Sequence, residues 1–340
     1  TGRHSLCMFG WGMGKPTKHL VIAAMRNEGP FILEWVAWYR MLGFEVLVLT
    51  NDCTDRSPAL LDALEMAGWL THVRHQPVDG EAPKKSAHRH ARLHPGTQEA
   101  DWIFVCDVDE FLVLHRGDGT VACYLDSFDI PFRGIGVHWR CFGTSGVDDF
   151  ADTPIHQQFV HASEHQHWVN RNFKTLFHGP KDFGSFGAHG PRMKKGRWGT
   201  PQERLITGDG TEIESYHPRN SALYKTKIPM ITHETAQINH YVLRSFESFS
   251  LKLGTPSASR GVNRYTPMFF ENHNRNEVED RCAFGYSERF AKIHAEVMEL
   301  PGVALLHHMC VADYVERLCI ASETKLTDDA RWIAAMNHIE

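Results

Sequence analysis

The sequence lacks the features that mark several large classes of protein. Its eight cysteines are scattered over 340 residues without a C-x-x-C pair, so neither a zinc knuckle nor a disulfide framework is indicated. A formal net charge of −5 argues against a general nucleic-acid-binding protein. The longest apolar runs, such as residues 20–25, are too short to span a bilayer. No secretory signal is visible, but the chain opens with Thr1 rather than Met, so this absence excludes nothing.

The composition is that of a chain that can bury a substantial core. Hydrophobic residues make up 42% and charged residues 23%, and no internal repeat or low-complexity tract stands out. We expect reduced thiols and a cytoplasmic protein, with peripheral association at the inner face of the membrane as an alternative. Histidine is abundant, at 23 residues, so each histidine ligand has to be argued on its own.

The first hundred residues alternate between short apolar runs and segments of helical spacing. Strands are predicted over 19–25, 45–50, 70–74 and 102–106, and helices over 31–42, 57–67 and 84–93. This alternation predicts right-handed crossovers and a mostly parallel sheet in an α/β fold. Beyond residue 130 short strands and loops mix, with strands over 134–142 and 237–243, a turn over 207–210 and a helix over 244–253. From residue 286 the pattern is helical.

The predicted organisation is one large α/β domain with additions at both ends. Residues 1–18 form a lead-in, 19–282 the domain and 283–340 a helical extension. Within the domain we expect two halves, 19–115 and 116–282.

An acidic run follows the predicted strand 102–106. Carboxylates two positions apart on extended backbone point the same way, so Asp107 and Asp109 can hold one hard cation. Polar clusters also follow the first two strands, at residues 26–28 and 51–52. Since ligands bind outside the carboxyl ends of parallel strands, we expect these clusters to converge on one cleft.

Several segments together resemble bacterial family 2-like glycosyltransferases related to the family 92 group. They are residues 24–30, 34–39, 42–44, 50–55, 107–111, 139–143, 239–242 and 276–280. The resemblance covers most of residues 19–282. It implies a GT-A fold, which is Rossmann-like, a nucleotide-sugar donor and a Mn²⁺ or Mg²⁺ ion. A UDP-sugar is the expected donor, with 19–115 as the nucleotide-binding half and 116–282 as the acceptor-binding half.

The resemblance and the placement of polar residues indicate roles for individual side chains. Asp109 is expected to be a direct metal ligand, Asp107 to face the metal or the ribose, and His240 to be a third ligand. The expected nucleotide-sugar contacts are Arg26, Asn27, Glu28, Asn51, Asp52, Lys85, Arg89 and Asp107. Helix capping, solvated helix faces and a structural histidine are the alternative interpretations.

The catalytic base is less defined by the sequence. Inverting transfer needs a carboxylate beside the acceptor hydroxyl, and the candidates are Asp149, Glu277 and Asp280. Asp148 and Glu234 also stay open, and the acidic pair that family 2 enzymes carry beyond the D-x-D is not evident. A retaining mechanism is the alternative.

The expected function is therefore metal-dependent transfer of a sugar to a glycan or glycolipid, as in bacterial polysaccharide biosynthesis. One alternative is a haloacid-dehalogenase-like phosphohydrolase, although Phe111 stands where that class carries a small Thr or Val. The other is a protein that keeps the fold and binds nucleotide sugars or glycans without catalysis.

Overall fold

The computed structural model describes residues 16–194, 200–217, 223–255 and 263–339, and residues 1–15 of the predicted lead-in lie outside them. The strands are β1 His19–Met25, β2 Glu45–Thr50, β3 Thr71–Arg74, β4 Trp102–Val105, β5 Glu110–Leu114, β6 Gly134–Cys141, β7 His161–Ala162, β8 Phe173–His178, β9 Phe183–Gly187, β10 Gly190–Met193, β11 Leu205–Thr207, β12 Ala236–His240 and β13 Val278–Glu279.

The helices are α1 Ile32–Met41, α2 Ser57–Met66, α3 Pro83–Leu93, α4 Pro95–Glu99, α5 Val121–Asp126, α6 Ile155–Gln158, α7 Phe246–Ser250, α8 Pro267–His273, α9 Ser287–Met298, α10 Val303–Ser322 and α11 Ala330–Asn337. Short 3₁₀ turns cover Gly29–Phe31, Trp168–Arg171, Pro180–Asp182, Pro201–Glu203, Ile228–Met230, Cys282–Tyr286 and Leu326–Asp328.

The main sheet has the strand order β3-β2-β1-β4-β8-β6-β12-β5, with β11 beside β6. The pairs β3–β2, β2–β1, β1–β4, β6–β12 and β6–β11 are parallel. Strands β8 and β5 run antiparallel to their neighbours. The carboxyl ends of β1, β2, β4, β6 and β12 therefore meet at one edge, which confirms the predicted α/β fold with a mostly parallel sheet.

Helices cover both faces of the sheet. On one face α1 buries all of its residues except Arg40, because its apolar residues surround the helix rather than forming a single stripe. On the other face the alanines of α3 pack on alternate residues of β1 and β2, such as Ile22 and Leu47. The sheet is thus a buried layer, consistent with the continuous apolar runs of its parallel strands.

The predicted C-terminal helical extension is present and packs on the first half of the chain. Tyr314 of α10 contacts Phe31 with ring centroids 5.3 Å apart, and Phe150 from the loop after β6 contacts Tyr314 at 4.7 Å. In the described part of the chain, no helix combines the length and apolarity needed to cross a bilayer. The division at residues 282 and 283 stays a prediction.

Candidate active site

Three non-glycine residues with left-handed backbone mark the edge where the parallel strands end. Asn27 follows β1 with φ 57°, Asp52 follows β2 with φ 47°, and Arg244 follows β12 with φ 59°. Such backbone costs about 1–3 kcal/mol per residue and is found preferentially at functional sites. This edge therefore has the backbone character of a binding site.

Aromatic side chains of α1 hold the acidic turn between β4 and β5. Trp35 donates from Nε1 to the carbonyl oxygen of Asp107 at 3.1 Å, and Trp38 donates to that of Leu112 at 2.9 Å. The Tyr39 hydroxyl lies 3.0 Å from the carbonyl oxygen of Glu110. Because these donors are buried, helix α1 fixes the backbone that carries the acidic residues.

The Asp107 carboxylate is held by two lysines. Lys84 of α3 binds one oxygen, and Nζ of Lys174 on β8 lies 3.0 Å from the other. Burial alone would raise the pKa of Asp107, but Lys174 and Lys84 hold it well below its ordinary value. Asp107 is therefore a fixed anion at neutral pH.

Glu110 lies beneath this pair and was not among the predicted site residues. Its side chain is fully buried, and its Oε2 is 3.0 Å from Nζ of Lys174. Burial raises the pKa of Glu110 to about 7 although Lys174 opposes the shift. The sequence offered one signal for Glu110, its position directly after the D-x-D. It offered none for Lys174, because β8 lies in the region where strands were not resolved by pattern.

Asp109 and His240 face each other across a short gap. His240 Nε2 is 3.8 Å from Oδ1 of Asp109, too far for a hydrogen bond, and Lys252 Nζ is 3.6 Å from Oδ2. Burial raises the pKa of Asp109, but Lys252 and His240 bring it down to about 2. Burial lowers the pKa of His240 to about 3, so its imidazole is neutral at pH 7. The Trp139 ring packs against that imidazole at a tilt of 37°, with ring centroids 4.1 Å apart.

This gap fits a divalent ion. Two ligand atoms about 2.0–2.2 Å from one ion lie up to about 4 Å apart, and the 3.8 Å between His240 Nε2 and Asp109 Oδ1 falls within that span. The structure thus brings together two of the three predicted metal ligands, Asp109 and His240, whereas Asp107 contacts lysines instead. Within the described ranges no group of three or more His, Cys, Asp or Glu side chains is arranged to hold a metal.

Two cationic side chains lie beside Asp109. Arg244 is 3% exposed, donates to Glu28 at 3.0 Å and stacks 3.5 Å from the centroid of the Phe31 ring. Its Nε and Nη2 have no hydrogen-bond partner among the described residues. Lys252 donates to the carbonyl oxygen of Val242 at 2.8 Å and keeps 20% of its side chain exposed. The edge therefore offers cationic donors for an anionic ligand.

The polar residues after β1 and β2 contact one another as well as facing solvent. The Asn27 side chain accepts from the Thr54 amide at 2.8 Å and donates to the Thr54 hydroxyl at 3.0 Å. Asn51 donates to Asp52 at 3.0 Å. The Asn27 bridge ties the two loops together, and the predicted contacts Arg26 and Asp52 are exposed at this edge.

Lys84 is the residue of the basic segment on α3 that reaches the acidic turn. Lys84 and His88 are one helical turn apart and face inward, and burial lowers the pKa of His88 to about 3. Lys85 and Arg89 are exposed on another face, where Arg89 pairs with Glu81 at 2.9 Å. The basic segment was recognised from the sequence, but its register on the helix was not.

The predicted catalytic carboxylates lie in different environments. Asp149 is exposed in the loop after β6. The carbonyl oxygen of its neighbour Asp148 accepts a hydrogen bond from the backbone amide of Glu247 in α7 at 2.8 Å. Glu277 is exposed and lies 3.3 Å from Arg275. The carboxylate of Asp280 accepts from Arg140 at 3.0 Å.

The surroundings of Asp280 do not favour the role of a base. Burial would raise its pKa, but hydrogen bonds from Cys282 and Gln237, together with Arg140, lower it to about 2. A carboxylate with so low a pKa is a weak proton acceptor at pH 7.

Comparison with solved structures finds distant likenesses to S. aureus TarS. A structure of TarS 1-349 is 10% identical, with a TM-score of 0.35, covering 94% of this chain and 90% of that one. TarS 1-349 in complex with UDP gives 11% identity, a TM-score of 0.34 and the same coverages. The complex with UDP-GlcNAc gives 11%, 0.32, and coverages of 94% and 91%. No curated protein matches the sequence.

A family model supplies the assignment that these distant likenesses do not. The model described as glycosyltransferase family 92 matches residues 22–253, from within β1 to just past Lys252. The match includes the acidic turn, the buried Lys174 and His240. The chain therefore belongs to glycosyltransferase family 92.

Proposed function

We propose that this glycosyltransferase takes its sugar from a nucleotide-sugar donor, with a UDP-sugar as the expected donor, bound at the carboxyl edge of the sheet. The observation that carries the proposal is the 3.8 Å gap between Asp109 and His240, with Arg244 and Lys252 beside it. Ionised carboxylate, neutral imidazole and cationic donors together form the set of groups that a metal-bound diphosphate requires.

In this proposal Asp109 and His240 would hold Mn²⁺ or Mg²⁺. When bound, the ion would neutralise charge on the diphosphate and so make it a better leaving group. Asp109 is suited to this role because it stays ionised, and His240 because its neutral imidazole keeps one ring nitrogen unprotonated at pH 7. The Trp139 ring packed against the imidazole limits its rotation.

Arg244 and Lys252 are proposed to bind the diphosphate oxygens directly. Nε and Nη2 of Arg244 have no partner in the described part of the chain, so they are donors that a phosphate oxygen can satisfy, and burial strengthens such charge-assisted bonds. Charge develops on the diphosphate as the bond to the sugar breaks, so these cations contribute most in the transition state.

Asp107 is proposed to accept hydrogen bonds from the ribose. Lys84 and Lys174 keep it ionised and fix its position. Its side chain retains 26% exposure, which leaves surface for a hydroxyl group.

Transfer is proposed to proceed by direct displacement with inversion, onto a hydroxyl group of a glycan or glycolipid. Of the predicted bases, Asp149 is the first to test, because it is exposed in the loop that follows β6 at the same edge. An Asp149→Asn variant should keep donor binding and lose transfer, whereas unchanged transfer would exclude it. Family membership removes the support for a phosphohydrolase, and the lysine pair on Asp107 does not resemble a free nucleophile.

Calorimetric titration with Mn²⁺ and UDP tests the proposed donor site without relying on turnover. The wild-type chain should bind UDP more tightly with Mn²⁺ than without it, and Asp109→Asn or His240→Ala should abolish that gain. Asp129→Asn, at an exposed position, is the matched control and should behave as wild type. UDP binding that ignores Mn²⁺ in every protein would contradict the metal assignment.

A further inference from the structure

A second polar cavity lies on the other face of β12. Alternate side chains of a strand point to opposite faces, so His240 faces the acidic turn while Gln237 and Asn239 face away from it. The cavity has a volume of about 400 Å³. Its lining is mostly polar and includes His115, Arg140, His165, His233, Gln237 and Asp280.

The cavity is also displaced along the strand from the donor edge. His115 directly follows β5, and the β5 residue Val113 pairs with Gln237 near the start of β12. The donor edge lies at the opposite end, where Glu110 pairs with His240. The cavity is therefore separate from the site proposed for the nucleotide.

The ionisable groups of this cavity nearly cancel. Arg140 and Arg281 face the carboxylates of Glu234, Glu279 and Asp280, and Arg140 is bound to Asp280 at 3.0 Å. Burial lowers the pKa of His233 to about 3, and burial also lowers those of His115 and His165. With neutral imidazoles the lining carries no excess positive charge, so it is not built for a strongly anionic ligand.

The hydrogen bonds of two histidines fix which ring atoms remain as acceptors. His233 Nε2 is 2.7 Å from the carbonyl oxygen of Trp139, so it carries the proton and leaves Nδ1 as an acceptor. His165 Nδ1 lies 3.0 Å from His233 Nδ1 and must donate to it, which leaves His165 Nε2 as an acceptor.

At the other side of the cavity, a hydrogen bond to Gln237 fixes which nitrogen of His115 is protonated. Gln237 donates from Nε2 to Asp280 at 3.1 Å, so its Oε1 is the acceptor that faces His115 Nε2 at 3.3 Å. His115 Nδ1 is then a further acceptor. Arg140 adds donors, since its Nη1 and Nη2 are buried without a hydrogen-bond partner among the described residues.

We propose that this cavity binds a neutral saccharide unit and is a second carbohydrate site of the protein. A sugar hydroxyl both donates and accepts, which matches a lining of mixed donors and acceptors with little net charge. The choice of a saccharide over other neutral polar ligands rests on the proposed transfer to a glycan. The site would hold a part of the glycan away from the reacting hydroxyl.

Saturation-transfer NMR on the full chain, without metal or nucleotide, tests the proposal. The probes are maltose, cellobiose, lactose and N,N′-diacetylchitobiose at millimolar concentration, with inorganic phosphate and citrate as anionic comparisons. At least one disaccharide should bind. His115→Ala and His165→Ala, both at exposed positions, should each weaken it by about threefold to tenfold, as expected for one lost hydrogen bond.

The control variant is His338→Ala, at an exposed position on the C-terminal segment, and it should bind as wild type. Binding of none of the disaccharides, or binding unchanged in both cavity variants, would overturn the proposal. Phosphate or citrate binding that is lost in these variants would overturn the neutral class of ligand. UDP binding measured on the same proteins separates this outcome from failure of the proposed donor site, because the two histidine variants should leave it unchanged.

Discussion

Replacing Lys174 by methionine removes the cation that joins the acidic residues of the site. Its Nζ lies 3.0 Å from Asp107, 3.0 Å from Glu110 and 2.7 Å from the carbonyl oxygen of Ala188. The lysine side chain is fully buried, and methionine fills a similar volume. The substitution therefore tests the charge of Lys174 with little change in packing.

The expected loss in the free energy of unfolding is about 3–5 kcal/mol, the usual cost of leaving a buried charge without its partner. Glu110 moderates this cost, because burial already raises its pKa to about 7 and removal of Lys174 raises it further. A protonated Glu110 needs no cation, so the loss should be smaller at pH 6 than at pH 8. The double variant with Glu110→Gln should recover about 0.5–3 kcal/mol, the range of coupling between groups in contact.

Urea denaturation at pH 6 and pH 8, followed by tryptophan fluorescence, measures these values. Lys181→Met is the matched control, since Lys181 is exposed and its replacement should change stability by less than about 0.5 kcal/mol. A loss below about 1 kcal/mol for Lys174→Met, with no dependence on pH, would contradict the claim that the charge of Lys174 compensates the carboxylates of Asp107 and Glu110.

Three further predictions concern single side chains. Tyr39→Phe should cost about 1–3 kcal/mol in urea denaturation, because it strips the hydroxyl from the Glu110 carbonyl oxygen and the Leu112 amide; a neutral result would contradict the role of α1 in holding the turn. Arg244→Lys should weaken UDP binding by about tenfold in calorimetry, since lysine lacks the planar fork, and unchanged affinity would exclude the diphosphate contact. Burial lowers the pKa of His138 to about 4, below the ordinary 6.5, so the unfolded chain binds the extra proton and stability falls as the pH drops below 6.5. His138→Gln should reduce that slope by up to about 1.4 kcal/mol per pH unit in acid titrations, and an unaltered slope would contradict the neutral buried imidazole.

The sequence predicted the first half of the fold well, because its elements carry strong local signals. Strands β1 and β2 were predicted with the bounds observed, and α2 and α3 within one residue. In that half, apolar runs, proline at helix starts and glycine at helix ends predict the same element bounds. The missed strand β5 begins with Glu110, directly after the acidic turn, and a buried glutamate does not resemble the start of a strand.

The second half was harder because its elements are short and depend on tertiary contacts. The helix predicted over 244–253 is only Phe246–Ser250, since Arg244 adopts left-handed backbone and Ser245 caps the helix. Pairing of β8 between β4 and β6 joins residues far apart in sequence, and no local pattern encodes it.

Site residues that are adjacent in the sequence could be predicted, whereas those that distant strands bring together could not. Asp107, Asp109 and Glu110 adjoin one another, so the acidic turn was visible in the sequence. Lys174 comes from β8, and its proximity to Asp107 follows only from strand order. The face of α3 turned toward the acidic turn depends on packing, so the sequence did not distinguish Lys84 from Lys85 and Arg89 of the same basic segment.

The most direct test of the proposed donor chemistry is nucleotide release from UDP-, GDP- and dTDP-sugars, with and without Mn²⁺, by the wild-type chain and Asp109→Ala. The expected result is Mn²⁺-dependent release from one donor, the UDP-sugar, that Asp109→Ala loses while remaining folded. Absence of release from the whole panel, or release that neither Mn²⁺ nor the substitution affects, would contradict the proposed site.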